Sequence, residues 1–321
     1  MVVFVTYVFY ICIEYDISNS PMIYLENFRF PTFEDEDLYL ANYFVKNPSS
    51  IRSIYPFKVL SVKGLHSLDF TEMTVLYGGN GSGKSTAINA ISNKLGLTRN
   101  SAYNVGDFQE EYLDMCEYQE TDWSDGIKVI KDVATLITSD DIFKYMLETR
   151  DKNAEVKRDI HNAMTEWYNL RDRRGKVSIR EAHLNEDEKF KLGFERRHVL
   201  NRSEFVRATA GSLTNTYSNG ETGYRQFLKS IVPDRLYILD EPENSLSCAL
   251  QVELAQFIEE SARYLGCQFI IATHSPFLLA LRGAKIYNLD GNPATISKFW
   301  ELPNMRLYYN LFKEYDEQFR F

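Results

Sequence analysis

The chain has 321 residues, of which 44% are hydrophobic and 25% charged, a globular composition with room for one or two domains. Its formal net charge of −9 excludes binding to nucleic acid through bulk positive charge. No C-x-x-C pair occurs among the four cysteines, Cys12, Cys116, Cys248 and Cys267. We therefore expect reduced thiols in a cytoplasmic protein, with neither a disulfide framework nor a zinc site.

The first 21 residues differ in character from the rest of the chain. Residues 2–13 are apolar and aromatic, but they are too short to span a bilayer and lack the features of a secretory signal. A second methionine, Met22, precedes a strand pattern over residues 23–30. We interpret residues 1–21 as an extension from a mis-called start codon, with an added edge strand or a weak membrane anchor as alternatives. No transmembrane segment is predicted.

Strand-like patterns continue from residue 22 to residue 76, broken at Pro31, Pro48 and Pro56. Residues 57–62 and 65–70 are predicted to form two neighbouring strands.

The most informative stretch is GGNGSGKS at residues 78–85, which matches the phosphate-binding P-loop pattern G-x-x-x-x-G-K-[ST]. Residues 74–77 predict a buried strand that enters this loop, and residues 87–91 predict the start of a helix. Four glycines allow successive N–H groups to surround a phosphate, towards which the helix directs its positive dipole end. In this arrangement Lys84 reaches the β- and γ-phosphates and the Ser85 hydroxyl holds Mg²⁺.

A chance glycine-rich turn is the alternative, and the strand–loop–helix order argues against it. The predicted nucleotide-binding residues are Gly78, Gly79, Asn80, Gly81, Ser82, Gly83, Lys84, Ser85 and Thr86.

The middle of the chain is less regular. Residues 126–138 contain enough Val, Ile and Leu for one buried strand, after which Ser139 is predicted to cap a helix. Residues 144–207 form a charged helical insertion, and between residues 150 and 207 there are 15 basic and 11 acidic side chains, a balance of +4. This arm could contact nucleic-acid phosphates or a protein partner, but a solvated helical pair of mixed charge is the interpretation we favour.

The last third alternates strands and helices. Strands are predicted at 235–241, 268–274 and 285–289, with an amphipathic helix at 247–265. This alternation predicts an α/β sheet with both faces covered.

Three polar residues lie at the ends of two of these predicted strands. Asp240 and Glu241 end the first, where an α/β nucleotide site needs acids: Asp240 to bind Mg²⁺, and Glu241 to act as general base on the attacking water. Two surface acids would be the alternative, but a run of apolar residues leads directly into them. His274 ends the second strand and is predicted to contact the γ-phosphate and the catalytic water.

Together the P-loop, the LDEPE run at 239–243 and the ATHSP run at 272–276 resemble the ABC-type ATPase superfamily. They are most similar to its soluble branch of chromosome-maintenance, recombination-repair and phage-defence ATPases, and especially to small stand-alone bacterial ATPases classed with the AAA family. The resemblance covers about residues 22–319 and is weakest in the middle. It implies a P-loop NTPase fold of the ABC-type ATPase head with a helical insertion.

This resemblance adds several expectations. The family's signature motif maps onto residues 218–221. There Ser218, Gly220 and Glu221 would bind the γ-phosphate of the ATP molecule held by a second subunit. The resemblance therefore implies two ATP molecules enclosed in a head-to-tail homodimer that forms when ATP binds. A polar helix cap is the alternative for this motif. Phe57 and Phe30 are candidates for stacking on adenine, although an aromatic residue at such positions is more often part of the core.

Two positions depart from the family pattern. Transporter cassettes carry S-A-L-D where this chain has NSLS at 244–247, so the usual aspartate is absent. The usual Q-loop glutamine is also not evident, with Ser139 or Asp140 in its expected place and Gln109 as a weaker candidate.

We accordingly divide the chain into an extension (1–21), the P-loop half of the ATPase domain (22–143), the insertion (144–207) and the second ATPase half (208–321). The predicted function is Mg²⁺-dependent ATP hydrolysis that switches a dimer in a DNA-related process or in phage defence, with a protein effector. Alternatives are a transporter cassette and a scaffold with little turnover. We do not expect a nuclease with an appended metal-binding domain, because the 47 residues after His274 are too few for that domain.

Overall fold

The computed structural model describes residues 22–48, 53–99, 105–121, 129–141, 144, 155–156, 158–165, 227–228, 230–244 and 246–320. The chain divides into two compact units, one made of Met1–Phe143 with Gly223–Phe321 and the other of Lys144–Thr222. In the second unit, residues 155–156 and 158–165 are helical. The predicted extension and the rest of the arm lie outside the described residues.

A six-stranded sheet forms the centre of the first unit. Its strands are β3 (Met73–Tyr77), β5 (Ala134–Thr138), β6 (Leu236–Asp240), β7 (Gln268–Thr273), β8 (Lys285–Asn288) and β9 (Thr295–Ser297). They lie in the order β5-β6-β7-β3-β8-β9, and all neighbours are parallel except the β8–β9 pair. This mixed, mainly parallel sheet confirms the predicted α/β fold. Because the strands run in parallel, the carboxyl ends of β3, β5, β6, β7 and β8 meet at one edge.

Helices cover this sheet on both faces. Helix α2 (Lys84–Lys94) buries Ile88 and Ile91 in the core on one face, and α5 (Cys248–Tyr264) buries Phe257 and Ile258 in the core on the other. Successive side chains of β6 and β7 alternate between these two cores. Burial on both faces explains why these strands are almost continuously hydrophobic in sequence.

A second, antiparallel sheet has β1 (Leu25–Arg29) between β2 (Ser67–Asp69) and β4 (Glu117–Glu120). The strands predicted near residues 23–30 and 65–70 are confirmed, but the prediction of strands between them is wrong. Helix α1 (Phe33–Lys46) occupies much of that stretch.

The start of α1 explains the error. Thr32 and Asp35 form a capping box, in which the Thr32 hydroxyl accepts from the Asp35 N–H. Tyr39 and Tyr43 lie one helical turn apart on α1, and both rings pack against that of Phe108. Residues 57–62 are also not a strand, since they form turns that lead into a short 3₁₀ helix at Ser61–Lys63.

The remaining elements are short or C-terminal. They are α3 (Gln109–Asp114), α4 (Ile130–Val133), α6 (Pro276–Leu279), α7 (Pro303–Glu314), α8 (Asp316–Phe319) and a 3₁₀ helix at Phe299–Glu301. Residues 139–141 are helical, as predicted, but the cap is Thr138, whose hydroxyl accepts from the Asp141 N–H at 3.3 Å. Within the described ranges, no helix has the length and apolarity needed to cross a membrane.

Candidate nucleotide-binding site

The P-loop joins β3 to α2 and depends on its glycines. Gly81 and Gly83 have φ angles of +76° and +99°, in the left-handed region that favours glycine. A Cβ at Gly78 would overlap the Ser82 hydroxyl oxygen, so a side chain there would displace the loop. The loop ends at the N-terminus of α2, where free N–H groups and the helix dipole both favour an anion. This cradle fits a phosphate chain.

Lys84, the first residue of α2, is held beneath the loop. Its Nζ donates to the carbonyl oxygens of Gly78 at 2.6 Å and Gly79 at 3.1 Å. It also lies 3.6 Å from Glu241 Oε1, and only 5% of its side chain is exposed. A buried ammonium with three partners is thus fixed beside the phosphate cradle.

Ser85 and Asp240 provide hard oxygen atoms at the end of β6. The Ser85 hydroxyl donates to Asp240 Oδ1 at 3.4 Å, so the two side chains predicted to hold Mg²⁺ lie side by side. Hydroxyl and carboxylate oxygens are ligands that suit Mg²⁺. Burial raises the pKa of Asp240 above its ordinary value, while the guanidinium of Arg99 opposes that rise.

Arg99 is a neighbour of this site that the sequence motifs do not identify. Its Nη2 lies 3.4 Å from Asp240 Oδ2, and its Nη1 donates to the side-chain oxygen of Asn89 on α2. No pattern in the sequence links Arg99 to β6, because the contact arises only when the chain returns to the sheet edge.

Glu241 has an unusual backbone conformation. Its φ of +50° lies in the left-handed region, which is rare for a residue other than glycine and recurs at functional sites. The Glu241 N–H donates to the Ala272 carbonyl at 2.9 Å, and its Oε2 accepts from Asn244 Nδ2 at 3.1 Å. The bend directs the carboxylate to a position between Lys84 and His274.

His274 lies directly after β7 at the same edge of the sheet. Its Nδ1 is 3.7 Å from Glu241 Oε1 and 3.5 Å from Glu243 Oε1, and about half of its side chain is exposed. Parallel pairing of β6 with β7 aligns Asp240 with Ala272 and so places these residues together. Lys84, Ser85, Asp240, Glu241 and His274, predicted separately, are therefore neighbours in space.

The two proposed adenine-stacking residues are core residues. Phe57 is 1% exposed and packs against the rings of Tyr39, Phe108 and Tyr112, and Phe30 is 4% exposed. Neither ring is accessible to a ligand, so the prediction that one of them stacks on adenine is wrong, and both belong to the core. The nearby Tyr55 places its hydroxyl 3.4 Å from that of Thr86.

Asp290 is a further contact of the P-loop that sequence reasoning missed. Its Oδ1 accepts from the Gly79 N–H at 2.9 Å. Asp290 comes just after β8, the neighbour of β3, and its side chain extends the pairing of those strands by one contact.

The Q-loop candidates differ in position. Ser139 and Asp140 follow β5, in which Thr138 pairs with Asp240, so they lie at the same edge as the acids. Gln109 begins α3, and in the described part of the chain no hydrogen bond joins it to the acids at this edge. The signature residues Ser218, Gly220 and Glu221 lie outside the described residues.

The fold and site define a nucleotide-binding P-loop protein with a mainly parallel sheet. A family model described as ABC transporter matches residues 66–244, more than half of the chain. The chain therefore belongs to this family of ABC-type ATPases. A second model, with the description "AAA domain, putative AbiEii toxin, Type IV TA system", matches residues 224–280. Domains of both kinds are in general ATPases.

Solved structures give more distant similarities. The Smc head domain with an extended coiled coil from Pyrococcus furiosus, bound to the C-terminal domain of ScpA, is 15% identical, with 76% of this chain and 94% of that chain covered and a TM-score of 0.37. The structure of cbiO1 from Clostridium perfringens, part of the ABC transporter complex cbiONQ, is 16% identical. The match covers 79% of this chain and 87% of that chain, with a TM-score of 0.33. No curated protein matches the chain. The family assignment rests on the family model.

Proposed function

We propose that this protein hydrolyses ATP with Mg²⁺ and uses the cycle to open and close a homodimer in the cytoplasm. The observation that carries the proposal is that Lys84, Asp240, Glu241 and His274 converge at one edge of the sheet. Asp240 Oδ1 lies 3.4 Å from the Ser85 hydroxyl, and Glu241 Oε1 lies 3.6 Å from Lys84 Nζ and 3.7 Å from His274 Nδ1. These are the groups that phosphoryl transfer to water requires: a cation for the phosphates, ligands for the metal and a base.

Each side chain has a distinct task. Lys84 exchanges its carbonyl partners in the loop for phosphate oxygens when ATP binds. Ser85 and Asp240 would hold Mg²⁺, which neutralises charge on the β- and γ-phosphates. The carboxylate of Glu241 orients water and accepts its proton, and His274 contacts the γ-phosphate and this water.

The dimer rests on the family resemblance. Residues 218–221 of one protomer would complete the site of the other, so closure would bury two ATP molecules between head-to-tail copies. Such a change in assembly converts the nucleotide state into a signal. We infer that a protein effector receives it, in phage defence or a DNA-related process. A local nucleic-acid contact through residues 150–207 is the alternative to the solvated helical pair that we favour for this arm.

The test compares wild type with Glu241→Gln and with Glu253→Gln, an exposed glutamate of α5. Phosphate release and mass by light scattering are measured with and without Mg-ATP. We expect wild type and Glu253→Gln to hydrolyse ATP, and Glu241→Gln to be inactive but trapped as a dimer. A mass that does not respond to ATP in any variant would overturn the switch.

A transporter cassette is the second candidate because the matching family model is described as ABC transporter. Ser247 stands where transporter cassettes carry an aspartate. It is the N-cap of α5, and its hydroxyl accepts from the Leu250 N–H. A cassette would copurify with a membrane subunit and lose turnover without it. A scaffold would dimerise with ATP and release no phosphate.

A further inference from the structure

Glu243, two residues after the proposed base, is a buried carboxylate that holds the His274 loop. Its Oε1 accepts from the Thr273 hydroxyl at 2.5 Å, the His274 N–H at 3.0 Å and the Ser275 N–H at 3.2 Å. The same oxygen is 3.5 Å from His274 Nδ1, and only 3% of the side chain is exposed. One atom therefore contacts all three residues around the end of β7.

A second link joins the same two loops. The Ser275 hydroxyl donates to Gln251 Oε1 at 2.7 Å, and Gln251 Nε2 donates to the Leu246 carbonyl at 3.0 Å. Leu246 belongs to the loop after β6, and Gln251 lies in the first turn of α5. The loop that carries Glu241 is thus tied to the loop that carries His274 by two links, one through Glu243 and one through Gln251.

Geometry favours a role for this link in the reaction. Glu241 and Glu243 flank Pro242, so a displacement of one is transmitted to the other through a short, stiff segment. The position of the imidazole relative to the Glu241 carboxylate therefore depends on Glu243.

We propose that Glu243 is a positioning residue that fixes His274 against Glu241, so that the two loops move as one unit during ATP hydrolysis. This inference rests on the proposed function, in which Glu241 and His274 act on the same water. Transporter cassettes carry an aspartate after the paired acids, at the position of Ser247 in this chain. Because that aspartate is absent here, it cannot be the residue that links the two loops.

Substitution of Glu243 separates positioning from simple loss of stability. Glu243→Ala leaves three donors without their acceptor, whereas Glu243→Gln keeps an oxygen for them. Glu243 Oε2 is buried and has no hydrogen-bond partner in the described part of the chain, so the glutamine amide nitrogen would lie there unpaired. We expect kcat to fall by about 10- to 100-fold in Glu243→Ala, with a smaller fall in Glu243→Gln and a nearly unchanged KM for ATP. Glu253→Gln is the control.

A second measurement does not need turnover. Hydrogen–deuterium exchange of the nucleotide-free protein reports the amides of His274 and Ser275, which should exchange faster in Glu243→Ala than in wild type or Glu253→Gln. Gln251→Ala, which leaves Glu243 in place, should accelerate exchange at Ser275 to a lesser degree. Wild-type kcat and unchanged exchange in Glu243→Ala would overturn the inference. Absence of hydrolysis in wild type would instead contradict the proposed function, and the exchange data would still decide the role of Glu243.

Discussion

The guanidinium of Arg99 lies 3.4 Å from the carboxylate of Asp240, and both side chains are at most 10% exposed. Arg99 approaches Oδ2, while the Ser85 hydroxyl approaches Oδ1. An arginine thus supplies positive charge to the residue that is predicted to bind Mg²⁺. Because Mg²⁺ would need the same carboxylate, we predict that arginine and metal compete for it.

Replacing Arg99 by alanine should therefore have two opposite effects. Without nucleotide, Asp240 loses its buried counter-charge, and the melting temperature should fall by about 3 °C or more. The Mg²⁺ concentration that half-saturates ATP binding should also fall, by about tenfold, if an opposing interaction of about 1.4 kcal/mol is lost. Arg282→Ala is the control, since Arg282 pairs with Glu259 and is 82% exposed. An unchanged Mg²⁺ response in Arg99→Ala would contradict the competition.

Lysines at the two ends of α2 provide a matched test of the P-loop. Lys84 and Lys94 each donate to backbone carbonyls, Lys94 to that of Leu113 at 2.7 Å. Lys84→Ala should weaken ATP binding by at least about 100-fold, because a buried charge–phosphate contact is lost. Lys94→Ala should leave the affinity within about threefold of wild type. Titration with a fluorescent ATP analogue measures both, and equal losses would refute a special role for Lys84.

Two phenylalanines test the corrected assignment of Phe57. Phe57→Ala should lower the free energy of unfolding by about 3–5 kcal/mol, because it leaves a cavity among the rings of Tyr39, Phe108 and Tyr112. Phe312→Ala, at a ring that is 55% exposed, should change it by less than about 1 kcal/mol. Urea unfolding followed by tryptophan fluorescence provides both values. A stable Phe57→Ala protein with weakened ATP binding would restore the adenine-stacking hypothesis.

Glu36 should make stability depend on pH. It is completely buried, and its Oε2 accepts from the Lys58 N–H at 2.7 Å and the Ser61 hydroxyl at 2.5 Å. Burial raises the pKa of Glu36 above its ordinary value of 4.5, so between the two values the folded protein binds the proton more tightly than the unfolded chain. Stability must therefore fall as pH rises through that interval, by no more than about 1.4 kcal/mol per pH unit.

The comparison is with Glu36→Gln, which retains an acceptor oxygen and cannot ionise. Melting temperatures from pH 4 to pH 8 should fall more for wild type than for this variant as pH rises. Parallel curves for the two proteins would show that Glu36 does not titrate in this range.

Patterns of local origin were predictable. The strands β3, β6 and β7 are apolar because both of their faces are buried, and each ends near the residue that the sequence indicates. Helix α1 was missed because its aromatic residues favour strands in general. The capping box at Thr32 and Asp35 is the signal that could have identified it.

Residues without a motif were not predictable. Glu243 belongs to the LDEPE run, but that run gives no task to its last residue, and its importance is visible only because its carboxylate accepts from two backbone N–H groups across the sheet edge. Asp290 likewise contacts Gly79 only because β8 pairs with β3.

The sequence by itself determined the class of this protein. A glycine-rich loop between a strand and a helix, with paired acids and a histidine after buried strands later in the chain, specifies chemistry that depends on residue type and local spacing. The tertiary structure alone decided which groups meet. Parallel pairing of β6 with β7 and β3 with β7 aligns distant segments, and this alignment sets Glu241 between Lys84 and His274 and brings Arg99 to Asp240. Such contacts depend on strand order and register, which residue spacing along the chain does not encode.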